Sequence, residues 1–176
     1  MSKLLIVVDM QKDFVTGPLG TKEAEAIVPK LADFIQRFDG TRIYTLDTHT
    51  SNYLETQEGQ LLPIPHCMEG YPGHDLVPEI NQLVTKQDMV LTKPGFGSPK
   101  LFEYLSSHHF DDIYLAGVCT GICVISNAVL CKTADTESCI HILSDLCACV
   151  SPESHRTALA AMERLQMDIT TGRDCL

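Results

Sequence analysis

The stretch Leu4-Leu5-Ile6-Val7-Val8-Asp9 decides the fold class, because it is an unbroken apolar run that ends at a carboxylate. A strand with one wet face alternates apolar and polar residues, whereas a strand of a parallel sheet is buried on both faces. Similar buried segments occur at 42–46, 89–92 and 113–118, and weaker ones at 139–143 and 167–170. These segments predict a mostly parallel sheet of about six strands.

Helical patterns lie between the predicted strands. Apolar residues recur at helical spacing over 23–38, 99–107, 122–134 and 152–165. Strands that alternate with helices are typical of an α/β protein with helices on both faces of the sheet. We therefore predict a three-layer α/β/α, doubly wound fold. Its 176 residues suit a single domain over 1–176.

Composition and charge exclude several classes of function. Thirteen basic residues against 23 acidic ones give a formal net charge of −10, so binding to nucleic acid or to anionic membranes is not expected. The sequence shows neither a membrane-spanning run nor a secretory signal, which predicts a cytoplasmic protein. Its eight cysteines are then expected mostly as buried thiols, not as a disulfide framework.

Polar residues stand where the predicted strands end. Asp9, Asp47 and Lys93 each close a strand, and the fourth strand runs into a turn with Cys119 and Cys123. Ligands of open α/β sheets bind at this edge. A thiol in the first turn of a helix lies in a positive field that lowers its pKa, and free amides there can bind an oxyanion. The turn by itself is equally compatible with two cysteines that pack as apolar side chains.

A second constellation lies in the irregular stretch 49–75. Asp47 and His49 fall on the same face of an extended segment, and His66 follows in a proline-rich loop. Imidazole and carboxylate ligands suit a divalent Zn, Fe or Mn ion. Glu58 is a candidate for a further ligand. Solvated loop histidines are the alternative interpretation.

Three motifs together resemble the isochorismatase-like cysteine hydrolases over nearly the whole chain. They are Asp9-Met10-Gln11-Lys12-Asp13-Phe14, the lysine after the third strand, and the turn Gly-Val-Cys-Thr-Gly-Ile-Cys-Val at 117–124. The resemblance implies that Cys123 is the nucleophile, that Asp9 shuttles protons and that Lys93 stabilises the thiolate. It also implies a cis peptide bond between Val118 and Cys119, which would direct the Cys119 and Cys123 amides at the substrate oxyanion.

Within that superfamily the metal constellation resembles the nicotinamidase/pyrazinamidase branch. Asp47, His49 and His66 match the ligands of its zinc or iron ion, which holds the pyridine nitrogen of the substrate, and Glu58 resembles an additional acidic ligand. The resemblance implies hydrolysis of nicotinamide or a similar small amide to the acid and ammonia through a thioester on Cys123, a role in NAD salvage, and a homodimer or homotetramer. Candidate aromatic residues for the substrate pocket are Phe14, Tyr53, Phe96 and Tyr71.

The chain departs from the family pattern at Gly121, where the family commonly has aspartate, and it contains no tryptophan. Two alternatives therefore stay open. One is a metal-independent hydrolase of the same superfamily that acts on a carbamoyl, ureido or other small amide. The other is a redox-responsive thiol protein without turnover, in which Cys123 is reversibly oxidised.

Overall fold

A computed structural model describes residues 1–175 of the chain. Its six strands are β1 (Lys3–Val8), β2 (Thr41–Asp47), β3 (Met89–Lys93), β4 (Asp112–Val118), β5 (Cys139–Ala148) and β6 (Asp168–Thr170). All neighbouring strands pair in parallel, in the order β3-β2-β1-β4-β5-β6. The predicted parallel sheet is therefore confirmed.

Seven α-helices occur in the described part of the chain: α1 (Lys12–Val15), α2 (Lys22–Arg37), α3 (Gln57–Leu61), α4 (Pro78–Asn81), α5 (Pro99–Leu105), α6 (Ile125–Ala134) and α7 (Pro152–Arg164). Leu5 and Val7 of β1 pack with α2 and α4, whereas Leu4 and Ile6 pack with α5, α6 and α7. Both faces of the sheet are thus covered, as the continuous apolar runs predicted. None of the helices in residues 1–175 is both long enough and apolar enough to cross a bilayer.

The strand order shows at which edge of the sheet a ligand crevice is expected. β1 lies between β2 and β4, so the chain connections diverge to the two sides of the sheet at β1 and β4. In doubly wound sheets the ligand crevice opens at such a switch point, beyond the carboxyl ends of the strands. Asp9 follows β1 directly, and Cys119 follows β4.

Local structure differs from the sequence expectation in two regions. β5 continues to Ala148 instead of ending near 143. Its second half contains polar residues, and one of them bonds to the neighbouring strand β6: Ser144 Oγ donates to Thr170 O at 2.8 Å. The stretch 49–75, expected to be irregular, contains α3 and the short 3-10 helices Tyr53–Glu55 and Pro72–His74. Thr56 caps α3 by accepting a hydrogen bond from Gly59 N, and this helix carries Glu58.

Candidate active site

The ends of β1, β2 and β3 bring Asp9, Asp47 and Lys93 close together. Asp47 and Lys93 are paired residues at the ends of β2 and β3. Lys93 Nζ reaches across to Asp9 Oδ2, at 2.7 Å. All three side chains are buried, with at most 2 % of each residue exposed. The structure therefore brings together two carboxylates and an amine that are far apart in the sequence.

Lys93 also contacts the thiol that the sequence singled out. Its Nζ lies 3.6 Å from Cys123 Sγ, 3.4 Å from Asp47 Oδ1 and 2.9 Å from Gly95 O, and it donates a hydrogen bond to each. Thr45 Oγ1 donates to Asp9 Oδ1 at 2.6 Å. Asp9 Oδ2, in contrast, accepts no aligned hydrogen bond from residues 1–175. This oxygen is paired by charge and still has the capacity to accept a proton.

The protonation state of the site follows from its burial. Burial raises the pKa of Asp9, although Lys93 opposes the effect. Burial also raises the pKa of Cys123 well above the usual thiol range; Asp9 adds to this rise and Lys93 counteracts it. The expectation of a lowered thiol pKa is therefore wrong for the resting site, because desolvation outweighs the helix terminus and the lysine. The resting site holds a neutral thiol beside the close contact of Lys93 Nζ with Asp9 Oδ2.

The turn after β4 is shaped by backbone geometry. Gly117 has φ 117°, and a Cβ at this position would lie 2.1 Å from Val8 O, so only glycine fits. The Val118–Cys119 peptide bond is cis, the position that the resemblance implies. Within residues 1–175 the Cys119 amide donates no hydrogen bond. A π-helical turn over Thr120–Val124 follows and carries Cys123.

Four potential metal ligands converge beside this cluster. The ligand atoms of Asp47, His49, Glu58 and His66 all lie within 4.8 Å of one another. Asp47 Oδ2 is 3.0 Å from His49 Nε2 and 3.5 Å from His66 Nε2, and Glu58 Oε1 is 3.8 Å from both Nε2 atoms. His66 Nδ1 donates to Ile64 O at 2.8 Å, which leaves the Nε2 lone pair for the site. Two imidazoles and two carboxylates suit a Zn, Fe or Mn ion.

The electrostatics of Asp47 agree with this donor set. Burial raises the pKa of Asp47, but the hydrogen bonds to His49 and His66 and the charge of Lys93 outweigh burial and hold the pKa well below the usual carboxyl range. Asp47 is consequently ionised, as a metal-ligating carboxylate must be. It also contacts both groups of side chains, since its Oδ1 faces Lys93 and its Oδ2 faces the imidazoles.

Two supporting residues were not singled out from the sequence. Gln11 is fully buried; its Oε1 accepts from Asp47 N at 2.8 Å, and its Nε2 donates to Asp47 O at 2.9 Å and to His74 O at 2.8 Å. Asp13 Oδ2 accepts from Cys67 N at 2.8 Å, next to His66. Both lie in the quoted stretch 9–14, but a buried side chain that bonds to distant backbone leaves no local signal beyond the motif itself.

A cavity of about 270 Å³ opens between the Cys123 thiol and the four potential metal ligands. Apolar side chains form most of its wall, which is lined by Phe14, Leu19, Asp47, Glu58, Leu62, His66, Phe96, Cys119, Ile122, Cys123 and Val150. Two of the aromatic residues proposed for the substrate pocket, Phe14 and Phe96, line this cavity.

Tyr53, also proposed for the pocket, is buried instead. It is 1 % exposed and packs behind His49 and His66, with ring centroids 4.7 and 5.2 Å away. Its hydroxyl donates to Leu62 O, so it supports the imidazoles. Tyr71 is 67 % exposed and lies outside the wall.

Comparison with known proteins places these features in a family. A family model described as the isochorismatase domain matches residues 3–174. An uncharacterised isochorismatase family protein, PncA of Bacillus subtilis, is 30 % identical over 175 residues, covering 91 % of this chain and 93 % of that protein. The nicotinamidase of Saccharomyces cerevisiae is 28 % identical over 173 residues, covering 72 % of this chain and 80 % of that protein.

Solved structures share the fold. The pyrazinamidase/nicotinamidase of Streptococcus mutans superposes with a TM-score of 0.86 at 26 % identity, covering 96 % of this chain and 99 % of that one. The pyrazinamidase of Pyrococcus horikoshii, solved in complex with zinc, gives a TM-score of 0.82 at 24 % identity, covering 97 % and 99 %.

Proposed function

This chain belongs to the isochorismatase family, and on that premise we propose that it is a cysteine amidohydrolase that converts nicotinamide or a similar small uncharged amide into the acid and ammonia. One observation carries the proposal: Cys123, beside Lys93 and Asp9, lines the same cavity as three of the four potential metal ligands, which are Asp47, Glu58 and His66. The relatives named as nicotinamidase and pyrazinamidase support it.

The resting protonation states suggest the order of proton transfers. The neutral Cys123 thiol gives its proton to Asp9 as Sγ attacks the amide carbonyl, and Lys93 stabilises the charge that develops. The Cys119 and Cys123 amides bind the oxyanion. Asp9 then protonates the leaving nitrogen, so that ammonia departs and a thioester remains. Finally Asp9 takes a proton from water, and the resulting hydroxide cleaves the thioester to the acid and a thiolate. Asp9 then returns the proton to Cys123 Sγ, which restores the thiol.

The residues that would hold a divalent metal are Asp47, His49, His66 and Glu58. When bound, such an ion supplies an electrophilic position for a ring nitrogen or a water molecule. In the chain itself, Gln11 fixes the backbone of Asp47 and Ile64 O fixes the tautomer of His66. These contacts orient the ligands toward one point.

The cavity wall favours an uncharged substrate over a carbamoyl or ureido amide that carries a carboxylate. Its polar members include the carboxylates of Asp47 and Glu58, and no lysine or arginine of residues 1–175 lines it. A substrate with its own carboxylate would find no lysine or arginine side chain of residues 1–175 in this wall to pair with. The phenyl rings of Phe14 and Phe96 instead suit a flat aromatic amide.

The test is ammonia release from nicotinamide by the purified protein, with metal content measured on the same sample. We expect turnover that is lost on chelation, and a loss of at least about 1,000-fold in Cys123→Ala. Cys131→Ala is the matched control, because Cys131 is a fully buried thiol of the α6 core outside the cavity wall.

Other outcomes separate the alternatives. Turnover that survives chelation would favour the metal-independent hydrolase. Bound metal without turnover of nicotinamide would direct the search to other small amides. If Cys123→Ala kept full activity on every amide tested, the proposed chemistry would be wrong. Reversible oxidation of Cys123 without any amidase activity would favour the redox-responsive protein.

A further inference from the structure

Asn127 is a fully buried polar residue that the amidase chemistry leaves unexplained. It lies on α6, one turn after Cys123, and its Nδ2 donates to Cys123 O at 2.8 Å. The same Nδ2 donates to Phe96 O at 3.1 Å, and Oδ1 accepts from Ser98 N at 3.0 Å. One side chain therefore binds the nucleophile's own carbonyl and the backbone of a distant loop.

That loop, residues 95–98, contributes directly to the site. Gly95 O accepts a hydrogen bond from Lys93 Nζ at 2.9 Å, and Phe96 forms part of the cavity wall. Ser98 Oγ caps α5 by accepting from Leu101 N. The loop also lies close against α6, since a Cβ on Gly97 would be 2.8 Å from Leu130 Cδ1.

These contacts form a connected set of hydrogen bonds that begins and ends at Cys123. Asn127 joins the Cys123 carbonyl to the 95–98 loop, the loop carbonyl of Gly95 holds the Lys93 ammonium, and Lys93 Nζ lies 3.6 Å from Cys123 Sγ. The links at Cys123 O and Cys123 Sγ are buried, and those to Phe96 O and Gly95 O are partly buried. Because the hydrogen bonds are connected in series, a shift at Asn127 is transmitted to the separation of Lys93 and the thiol.

We propose that Asn127 is a positioning residue for the amidohydrolase reaction, setting the distance between the Lys93 ammonium and the Cys123 thiol through the 95–98 loop. The inference rests on the proposed function. Asn127 itself is absent from the cavity wall, so its effect is indirect. Displacements of about 1 Å between reacting groups reduce rates by as much as about 100-fold.

The chemistry of the amide group explains why asparagine is needed. Its neighbours are two carbonyl oxygens, which require donors, and one N–H, which requires an acceptor. An asparagine side chain offers two donors and an acceptor in one plane. Aspartate has the same shape but no donor when ionised, so its oxygen would face the carbonyls of Phe96 and Cys123.

The experiment measures the rate at which iodoacetamide alkylates Cys123, resolved by mass spectrometry, and the kcat and KM for ammonia release. We expect Asn127→Asp to slow alkylation about tenfold and to lower kcat by about 10- to 100-fold while KM changes less than about threefold. Ser126→Ala is the matched control: Ser126 is its neighbour on α6 and donates to Ile122 O at 2.6 Å, without a bond to the loop. It should stay within about twofold of the parent protein.

A second variant, Asn127→Ser, tests the same inference if Asn127→Asp does not fold. Asn127→Ser is uncharged and smaller and cannot span both the helix and the loop, so it should show the same kcat-selective loss. Folded Asn127 variants that alkylate and turn over like the parent, or a Ser126→Ala variant slowed equally, would overturn the inference. Alkylation does not depend on substrate identity. A parent protein without amidase activity would therefore refute the proposed function, and the alkylation rates would still decide whether Asn127 positions Cys123.

Discussion

Replacement of Lys93 by methionine is the sharpest test of the electrostatic account of the site. Lys93 lies 2.7 Å from Asp9 and 3.4 Å from Asp47, and all three groups are buried. At 2.7 Å and an effective dielectric constant of about 20, the gross attraction to Asp9 is about 6 kcal/mol. Desolvation offsets part of this energy, so removal of the cation should cost about 3–5 kcal/mol of unfolding free energy. For 176 residues this corresponds to a fall in Tm of about 6–20 °C.

The assay is urea unfolding of metal-free protein at neutral pH, followed by circular dichroism. The variants are Lys93→Met, Asp9→Asn and the double substitution, and the double variant should be at least about 1 kcal/mol more stable than additivity requires. Lys12→Met is the control, because Lys12 pairs with Asp75 at 3.0 Å while both side chains are partly or largely exposed (35 % and 61 %). It should cost less than about 1 kcal/mol.

The pH dependence has a definite sign. The pKa of Asp9 is already raised by burial, with Lys93 opposing the rise, so loss of Lys93 must raise it further. A carboxyl with a raised pKa binds more protons folded than unfolded, and stability is lost as pH rises from the unfolded toward the folded pKa. The deficit of Lys93→Met should therefore shrink in acid. A deficit below about 1 kcal/mol at neutral pH, or one that grows in acid, would refute the reasoning.

Three further outcomes follow from the structure. Gly117→Ala should lower the unfolding free energy by about 3 kcal/mol or more in a thermal or urea melt, because its Cβ would meet Val8 O at 2.1 Å; a stable variant would contradict the turn geometry. His66→Ala should reduce bound zinc at least about tenfold by elemental analysis, whereas His74→Ala, outside the ligand group, should bind like the parent; equal retention in both would place the metal elsewhere. Phe96→Ala should raise KM for nicotinamide about tenfold with a small change in Tm, since Phe96 lines the cavity and is 48 % exposed; an unchanged KM would remove it from the substrate contacts.

The sequence was sufficient for the fold class and the edge of the sheet that carries the site. Continuous apolar runs report burial on both faces, and a polar residue that closes each run marks the strand end. Because the ends of parallel strands share one edge, the sequence alone assigns Asp9, Asp47 and Lys93 to a common region. The predicted end of β5 near residue 143 was wrong, because Ser144 interrupts the apolar pattern although it bonds to β6 within the sheet.

Tertiary structure decided the features that depend on distant atoms. The neutral state of the Cys123 thiol follows from desolvation by every surrounding group, so the local helix-terminus argument gave the wrong sign. The place of Tyr53 behind the imidazoles, and the bonds of Gln11 and Asn127 to remote backbone, arise where segments pack that are far apart in the chain. Sequence periodicity records which faces of a segment are buried, whereas the partners of a buried polar group are set by strand register and loop packing, which no local pattern encodes.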